Sequence, residues 1–387
     1  MNCIAAAPSS ALPRICSSRS IATLKRRCLH ASPSLSATPL PSTQPGPPPT
    51  APLPPSSQYG ERVDRRRRQA ELIKRGQDLR TSHMKPGTAM KKRFWKDVAV
   101  RTTSDGLHTI YLDSRPVRNP QTKVPLSIPP SKPHLATAIA LEWDLLTSAQ
   151  QALRAHLIPL TSIASRAHDL AMQDAATASS NQASESTAVH QSRTIRDDII
   201  MTLIPYLDTD TLLCWAPPTP KEADPTTTVV PSLRDLQARV AEPIISYLTT
   251  NVWPGIQLNP SLDDGSIFPT EQPRQTKDII RGWMTGLNAW ELVGLERAVL
   301  AGKSLCVGAR LLCEWGESFA DIRKALGSGS HGIQRFGIED AAQACSLEVM
   351  WQTGRWGEVE DTHDVDKEDL RSQFGSAVLV ASGTTQA

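Results

Sequence analysis

The chain has 387 residues, of which 39% are hydrophobic, 5% aromatic and 21% charged, and its formal net charge is +3. This length allows one large domain or two ordinary ones, with a core that is not rich in aromatic residues. The charge is unevenly placed: residues 62–93 hold twelve Lys/Arg against three Asp/Glu, whereas residues 94–387 hold twenty-five against thirty-five. An acidic body argues against nucleic acid as the partner, because a surface that binds phosphates is usually basic.

The first 40 residues have the composition of a mitochondrial transit peptide. They contain many serines and alanines and no acidic residue, and their basic residues are Arg14, Arg19, Lys25, Arg26 and Arg27. The continuous apolar core of a secretory signal is absent from them. We therefore expect residues 1–40 to be a transit peptide, with an unstructured tail that carries no targeting information as the alternative.

Residues 41–92 are predicted to be a disordered linker. Their first part is rich in proline, which removes backbone donors and leaves little to bury. The following RRRRQAELIKRG predicts a solvated basic helix. This helix could touch anionic lipid or RNA, but a charged tether is the simpler interpretation.

Alternating polar and apolar residues from 93 to 117 predict a small antiparallel sheet. Asp105-Gly106 supplies one turn and Asp113-Ser114-Arg115 a second. A short extended piece then ends at Val124-Pro125-Leu126. So few short strands bury too little to fold alone.

Helical patterns follow the prolines near residue 130. LATAIALEWDLLTSA spaces Leu135, Ile139 and Leu146 on one face, so this helix is predicted to cover the sheet. PLTSIASRAHDLAM continues the pattern, and an apolar helix is predicted to end near Cys214-Trp215. Residues 173–194 predict an insertion and residues 216–231 a proline loop. From residue 233 to Trp356 the pattern is almost entirely helical.

The fold class predicted from this order is α+β. A small N-terminal antiparallel-sheet domain with helices spans residues 93–185, and a mostly α-helical C-terminal domain spans residues 186–387. The long apolar stretch from Trp290 to Trp315 contains charges that hydrocarbon would not tolerate, so it predicts a buried helix or helix pair and no membrane span. Its cysteines, Cys306 and Cys313, together with Cys345, are expected to be small buried hydrophobes.

Two stretches that resemble phosphate-binding or metal-binding motifs lack the residue spacing that those motifs require. Gly302-Lys303-Ser304 resembles the end of a phosphate-binding loop, but position 297 is Arg where that loop needs Gly, and the preceding residues predict a helix. WGEVEDTHDVDKEDL, residues 356–370, holds seven carboxylates between Glu358 and Asp369, yet lacks the glycine of a calcium loop and the second His or Cys of a zinc site. We interpret it as an exposed acidic segment that connects helices. No catalytic, cofactor-binding or metal-binding residue is predicted.

Acids inside apolar helical stretches require a partner or a function. Glu142 and Asp144 flank Trp143 in the first helix, and Glu296 lies in the long apolar segment. The first interpretation of Glu296 is an ion pair with an arginine from another helix. The second is a recognition point for a partner chain, in which case Glu296→Lys would leave the melting temperature nearly unchanged.

Seven segments together resemble the mitochondrial ATP synthase F1 complex assembly factor 2 family. They are RFWKDVAV, YLDSRPVRNPQTKVPLSIP, LATAIALEWD, IPLTSIASRAHD, DTDTLLCWA, WELVGLERAV and WQTGRWGEVEDTHD, and they run from about residue 93 to 375. The resemblance implies a chaperone of the F1 α subunit in the mitochondrial matrix, without a nucleotide or a metal. The alternative is a soluble matrix enzyme of unidentified chemistry. We expect a monomer with no nucleic-acid partner.

The resemblance also supplies candidate site residues. Arg93 and Phe94 match the family in the opening strand. Glu296, Glu142 and Asp144 are predicted to bind the partner, and four further matching residues are predicted to be structural: Trp143, Trp95, Asp113 and Arg115. The insertion at 173–194 and the proline loop at 216–231 depart from the family pattern, which leaves the domain boundary near 185 the least defined part of this prediction.

Overall fold

A computed structural model of the chain describes residues 66–71, 93–183, 193–218, 231–260, 269–327, 335–359 and 361–384. The predicted transit peptide and the predicted domain boundary between residues 185 and 186 lie outside these ranges. So does the predicted linker at 41–92, apart from residues 66–71. Those six residues are helical, as predicted for the basic segment, and are called α1 here.

The predicted antiparallel sheet is confirmed, with its second strand at the centre. The strands are β1 (Val98–Thr102), β2 (His108–Leu112), β3 (Arg115–Pro116) and β4 (Ser127–Ile128). All three of the others pair antiparallel with β2, and Val98 lies opposite Leu112. The turn between β1 and β2 contains Gly106 at φ +79°, a left-handed conformation that glycine adopts without steric cost.

The first long helix covers this sheet, as the apolar spacing predicts. α2 (Pro133–Leu145) begins with proline, whose missing N–H is not needed at that position. Its buried residues Leu135, Ala136 and Ile139 face β1 and β2. Ile110 and Ile128 on the sheet are fully buried. The helix therefore supplies the apolar surface that the short strands lack.

The remaining described elements are helical, which confirms the α+β fold class. They are α3 (Pro159–Ala183), α4 (Ile195–Leu203), α5 (Leu233–Tyr247), α6 (Arg274–Gly286), α7 (Ala289–Gly302), α8 (Leu305–Trp315), α9 (Ala320–Ala325), α10 (Ile338–Trp356) and α11 (His363–Ala381). Several begin with a side-chain cap: Thr194 and Ser232 form capping boxes, and Asn288 and Ser304 accept from the backbone of the next turn.

Three elements differ from the sequence prediction. α3 continues through Ala183, so the first half of the predicted insertion extends this helix. The helix predicted to end near Cys214 ends at Leu207, and the carboxylate of Asp210 then accepts from Leu212 N at 2.9 Å in a tight turn. α11 was not predicted. Its first turns are the acidic stretch that we interpreted only as a connection.

The predicted helix pair at 290–315 is confirmed and forms the centre of the core. α7 and α8 are separated by Lys303, at φ +53°, and most of their residues are buried. α11 lies directly on α7: a Cβ added at Gly294 would be 3.1 Å from Ala377 O. Cys313 is buried, which raises the pKa of its thiol to about 12. No helix within the described residues is long and apolar enough to cross a membrane.

A buried lysine joins the sheet region to the C-terminal end of the chain. Lys132 precedes α2, and its Nζ donates to Ala381 O at 3.1 Å and to Ser382 O at 2.7 Å. Ser131 O accepts from Thr384 N at 2.6 Å. The lysine cation therefore satisfies carbonyls at the end of α11, where the helix dipole favours positive charge.

Candidate functional site

Glu142 lies in the last turns of α2 and binds the beginning of α3. Its Oε1 accepts from Leu160 N at 2.6 Å, and its Oε2 accepts from Thr161 N and Thr161 Oγ1, both at 2.9 Å. The first N–H groups of a helix have no partner within the helix. A carboxylate from α2 therefore caps α3, at the end where the helix dipole favours negative charge.

The protonation of Glu142 depends on two opposing effects. Burial raises the pKa of its carboxyl group above the ordinary value, whereas the hydrogen bonds from Leu160 and Thr161 lower it. Burial has the larger effect. The ionised form of Glu142 at neutral pH is therefore unfavourable in free energy, and its three hydrogen bonds reduce that penalty.

Two tryptophans complete this junction. Trp143 Nε1 donates to Thr161 Oγ1 at 3.0 Å, and Trp95 Nε1 donates to Trp143 O at 3.3 Å. Their rings meet edge to face, with centroids 5.6 Å apart. Trp95 is almost fully buried, whereas Trp143 is half-buried. The two tryptophans thus connect the segment before β1 to α2, and α2 to α3.

Glu296 also binds α3, about one and a half turns further along. Arg166 donates from Nε to Glu296 Oε2 at 2.6 Å and from Nη2 to Oε1 at 2.7 Å. This bidentate geometry is the strong form of an ion pair. Glu296 is buried, and the hydrogen bond to it raises the pKa of Arg166. The geometry matches the first interpretation of Glu296, an arginine partner from another helix.

Asp113 and Arg115 lie at the turn after β2. Asp113 has φ +55°, and its Oδ1 accepts from Lys96 N at 3.1 Å and from Asp97 N at 2.9 Å. These bonds lower the pKa of the Asp113 carboxyl group. Arg115 places its guanidinium 5.9 Å from the centre of the Phe94 ring. The turn thereby fixes the segment that carries Phe94.

Asp144 differs from the other two acids, because its side chain is mostly exposed. Arg93 Nη1 donates to its backbone oxygen at 2.6 Å and to its Oδ1 at 3.3 Å. The longer contact is a surface ion pair, which costs little to exchange for another partner. Among the three predicted partner-binding acids, the carboxylate of Asp144 is the one open to solvent.

Exposed apolar side chains lie on the same helix as Asp144 and on segments attached to the end of that helix. Leu141 and Leu145 are one turn apart on the outer face of α2 and are 58% and 70% exposed. Phe94 is 61% exposed and follows Arg93, whose N–H donates to Thr147 O just after the helix. Leu153 is 86% exposed and lies two residues after Gln151, whose Oε1 accepts from Thr147 N. We call this surface, made of Phe94, Leu141, Asp144, Leu145 and Leu153, the α2 rim. Such a set of exposed apolar side chains with one charge is typical of a protein-binding surface.

Sequence reasoning missed most of this surface. It singled out Asp144 and gave no role to Leu141, Leu145 or Leu153. The available signal was the pair of leucines at i and i+4, on a different face of α2 from Leu135 and Ile139. It also left open which arginine pairs with Glu296, because Arg166 lies 130 positions away in the sequence.

Residues suited to a metal do not converge in the described part of the chain. It contains no group of three His, Cys, Asp or Glu that could hold a metal ion. Lys303 and Ser304, which resembled part of a phosphate-binding loop, end α7 and cap α8, and Ser304 Oγ accepts from Val307 N at 3.0 Å. The arrangement found in this region can hold helices together and present the α2 rim.

Comparisons with known proteins agree on one family. The sequence profile of the ATP12 chaperone protein matches residues 92–249. Protein atp12, mitochondrial, from Schizosaccharomyces pombe is 31% identical over 291 residues, which cover 75% of this chain and 82% of that protein. Protein ATP12, mitochondrial, from Saccharomyces cerevisiae is 30% identical over 297 residues, which cover 75% of this chain and 83% of that protein.

Among solved structures, Atp12 from Paracoccus denitrificans is 21% identical, with a TM-score of 0.49 over 75% of this chain and 97% of that one. The relatives from the two yeasts are named mitochondrial proteins, and this is the assembly-factor family that the sequence motifs resemble. The chain therefore belongs to the ATP12 chaperone family, and it is an assembly chaperone of the mitochondrial ATP synthase F1 complex.

Proposed function

We propose that this chaperone binds the free α subunit of F1 in the mitochondrial matrix and keeps it competent for assembly into the α/β catalytic head. The α2 rim is the binding surface in this proposal. Its four exposed apolar side chains are the observation that carries the assignment, because the free client must bury apolar surface that later contacts another subunit.

Charge supports the same partner. Residues 94–387 hold ten more acidic than basic residues. A surface of this sign attracts a basic client and suppresses acidic ones. Asp144 is the exposed carboxylate of the α2 rim and is the partner-binding acid of the proposal. Glu142 contributes by fixing α3 to α2, and Glu296 contributes by fixing α3 to α7.

The small size of the α2 rim is consistent with reversible binding of the client. A chaperone must release its client, and a few central apolar residues carry most of the energy at a protein interface. Four exposed side chains with one acid provide a limited number of such contacts. The matrix location and the identity of the client are parts of the proposal that one capture experiment can address together.

The experiment compares the wild-type chain with two variants in matrix extract. Leu145→Glu with Leu153→Ser changes the α2 rim, and Met172→Glu changes an apolar residue on α3 that is also more than half exposed, as the control. We expect wild type and the control to capture the α subunit, and the rim variant to capture at least about tenfold less, since hot-spot changes cost about 2 kcal/mol or more. Melting temperatures should agree within about 2 °C. Equal capture by both variants, or capture of a different F1 subunit, would contradict the proposal.

A further inference from the structure

The carbonyl groups at the end of α2 accept hydrogen bonds from an arginine that precedes β1. Arg93 Nη1 donates to Asp144 O at 2.6 Å and to Leu146 O at 3.5 Å. The backbone N of Arg93 donates to Thr147 O at 3.4 Å. The last carbonyls of a helix have no partner within the helix. Arg93 therefore caps the end of α2 from another part of the chain.

Arg93 also brings a charge that α2 lacks at this end. The C-terminal end of a helix favours a cation. The last turn of α2 contains no basic residue, and it contains two acids, Glu142 and Asp144. The side chain of Arg93 is only 29% exposed, so its guanidinium is held close to these carbonyls. This cation offsets the unfavourable placement of two acids at the negative end of the helix dipole.

The second terminal nitrogen of the guanidinium contacts the backbone that leads into β1. Arg93 Nη2 donates to Lys96 O at 3.3 Å. One side chain thus contacts α2 with one nitrogen and closes the segment 93–96 with the other. Phe94 lies inside this closed segment and is 61% exposed, with its ring edge to face on Trp95 at 4.8 Å between centroids. Arg93 therefore fixes the backbone on both sides of Phe94.

We propose that Arg93 is a positioning residue of the α2 rim and that it acts through Phe94. This inference rests on the proposed function of the rim. Arg93 ties the backbone of Phe94 to the end of the helix that carries Leu141, Asp144 and Leu145. A side chain whose backbone is already fixed loses less conformational freedom when it binds a partner, so this arrangement strengthens client capture.

The contact between Arg93 and the Asp144 carboxylate suggests a different role, in which Arg93 competes with a client cation for Asp144. The distances favour positioning, because Nη1 is 2.6 Å from Asp144 O and 3.3 Å from Asp144 Oδ1. The backbone oxygen is the tighter partner, so the carboxylate can exchange partners while Arg93 stays in place. The two roles predict opposite signs: loss of Arg93 weakens capture in the first role and strengthens it in the second.

Binding of purified F1 α subunit to the full chain tests the sign and the route. We expect Arg93→Gln and Phe94→Ala each to bind at least about threefold more weakly than wild type. The double variant should bind no more weakly than Phe94→Ala alone, because both changes act on one contact. The melting temperature should instead fall with Arg93→Gln in both backgrounds, since the cap on α2 does not need the Phe94 ring. Arg154→Gln removes the same charge beside Leu153 and is the matched control, expected within about twofold of wild type.

Tighter binding by Arg93→Gln would make Arg93 a competitor of the client and would overturn the proposal. The same conclusion follows if Arg93→Gln weakens binding equally with and without the Phe94 ring, or if Arg154→Gln weakens it as much. The variant Leu145→Glu with Leu153→Ser separates this proposal from the function of the rim. Normal binding by that variant would contradict the proposed function. Weak binding by it, together with wild-type binding by Arg93→Gln, would contradict only the role of Arg93.

A photo-crosslink locates the effect on the rim. Phe94→p-benzoylphenylalanine should crosslink to the α subunit, and Arg93→Gln should reduce the yield several-fold even when the α subunit is saturating. The same replacement at Leu153 is the control. Its yield should be kept, because Leu153 follows the Gln151 contact with Thr147 N, which Arg93→Gln leaves unchanged. A reduction at position 94 that is no larger than the one at position 153 would show that Arg93 does not position Phe94.

Discussion

At the scale of single residues, burial separates three carboxylates that the sequence presents alike. Glu142 and Glu296 each accept two or more hydrogen bonds from α3, whereas Asp144 shares a surface contact with Arg93. A buried carboxylate must keep its partner, because an unpaired charge in the interior is costly. An exposed one is free to exchange partners. A carboxylate thus serves packing in two positions, and in the proposed function it serves recognition in the third.

The ion pair between Arg166 and Glu296 gives the first prediction. Removing one partner of a fully buried ion pair lowers the free energy of unfolding by roughly 3–5 kcal/mol. Because the side chain of Arg166 is 44% exposed, we expect Glu296→Gln to lower it by about 2 kcal/mol. Glu296→Lys should cost at least as much, whereas a nearly unchanged melting temperature was expected from the sequence if Glu296 were a recognition point. Denaturant unfolding of Glu296→Gln, Arg166→Gln and the double variant measures the coupling.

The double variant should lose clearly less than the sum of the two single losses. Asp144→Asn is the control and should stay within about 0.5 kcal/mol of wild type, as surface changes usually do. Additive losses, or a wild-type stability for Glu296→Lys, would show that the pair does not stabilise the fold and would return Glu296 to the candidate contact residues.

Trp143 gives the second prediction at this scale. Its ring packs edge to face on Trp95 and its Nε1 bonds to Thr161. Since the ring is only half-buried, we expect Trp143→Arg to cost about 3 kcal/mol, the low end for losing a large aromatic side chain. The melting temperature should fall by roughly 5–10 °C. Trp143→Phe keeps an aromatic edge and loses one hydrogen bond, so about half that loss or less should be found in a thermal melt. Equal melting of all three proteins would contradict the packing role.

At the scale of elements, α3 depends on residues outside itself. Its beginning is capped by Glu142 from α2, and its middle is bound by Glu296 from α7. The capping carboxyl group has a raised pKa, so the folded state retains its proton to higher pH than the unfolded state does. The stability from this group is fully present below the unfolded value and is lost as the pH rises through the folded value.

The third prediction follows from that sign. Glu142→Gln cannot titrate, so the difference in free energy of unfolding, wild type minus variant, should be largest below pH 4.5 and decrease as the pH rises toward neutrality. Denaturant unfolding of both proteins at several pH values measures the difference. The amide side chain of the variant still offers one acceptor oxygen, so α3 should remain capped and helical. A difference that increases with pH would mean that the hydrogen bonds outweigh burial.

The elements that the sequence predicted are those with a local signal. The sheet followed from alternation and turns at Asp105-Gly106 and Asp113, and α2 from its leucine and isoleucine spacing. α11 lacked such a signal. Its first turns are acidic and exposed, and its buried part relies on small residues such as Ala377 and Ala381, which pack closely on Gly294. Close packing of small residues is set by the partner helix, so it leaves no strong periodicity in one sequence.

The candidate site also contains some residues that the sequence identified and others that it did not. Glu142 and Trp143 stood out in an apolar helical segment, whereas Trp95 was named from the family resemblance. In the structure Glu142 and Trp143 both bond to Thr161, and Trp95 bonds to Trp143 O. Leu145 and Leu153 were not, since exposure of a leucine depends on what the tertiary structure places beside it. Their role in client capture rests on the proposed function.

At the scale of the whole molecule, the beginning of α2 and the end of α11 are tied together. Residues before α2 and residues after α11 share hydrogen bonds through Lys132 and Ser131. Glu317 lies 3.5 Å from the same ammonium group and also accepts from Ser131 Oγ at 3.1 Å. The sheet and the helical part therefore do not unfold independently as long as this connection holds.

The last prediction tests that connection with Lys132→Met, which keeps most of the length and the apolar stem of the side chain. Burial lowers the pKa of Lys132, so its charge is costly, but the change leaves the carbonyls of Ala381 and Ser382 without this donor. One unsatisfied buried acceptor costs about 1–3 kcal/mol, and we expect a net loss of about 2 kcal/mol. Hydrogen exchange should accelerate at both α2 and the end of α11, although the two segments are far apart in the sequence. Lys324→Met, on exposed α9, is the control. Acceleration confined to α11 alone would show that Lys132 caps a helix without coupling the sheet to it.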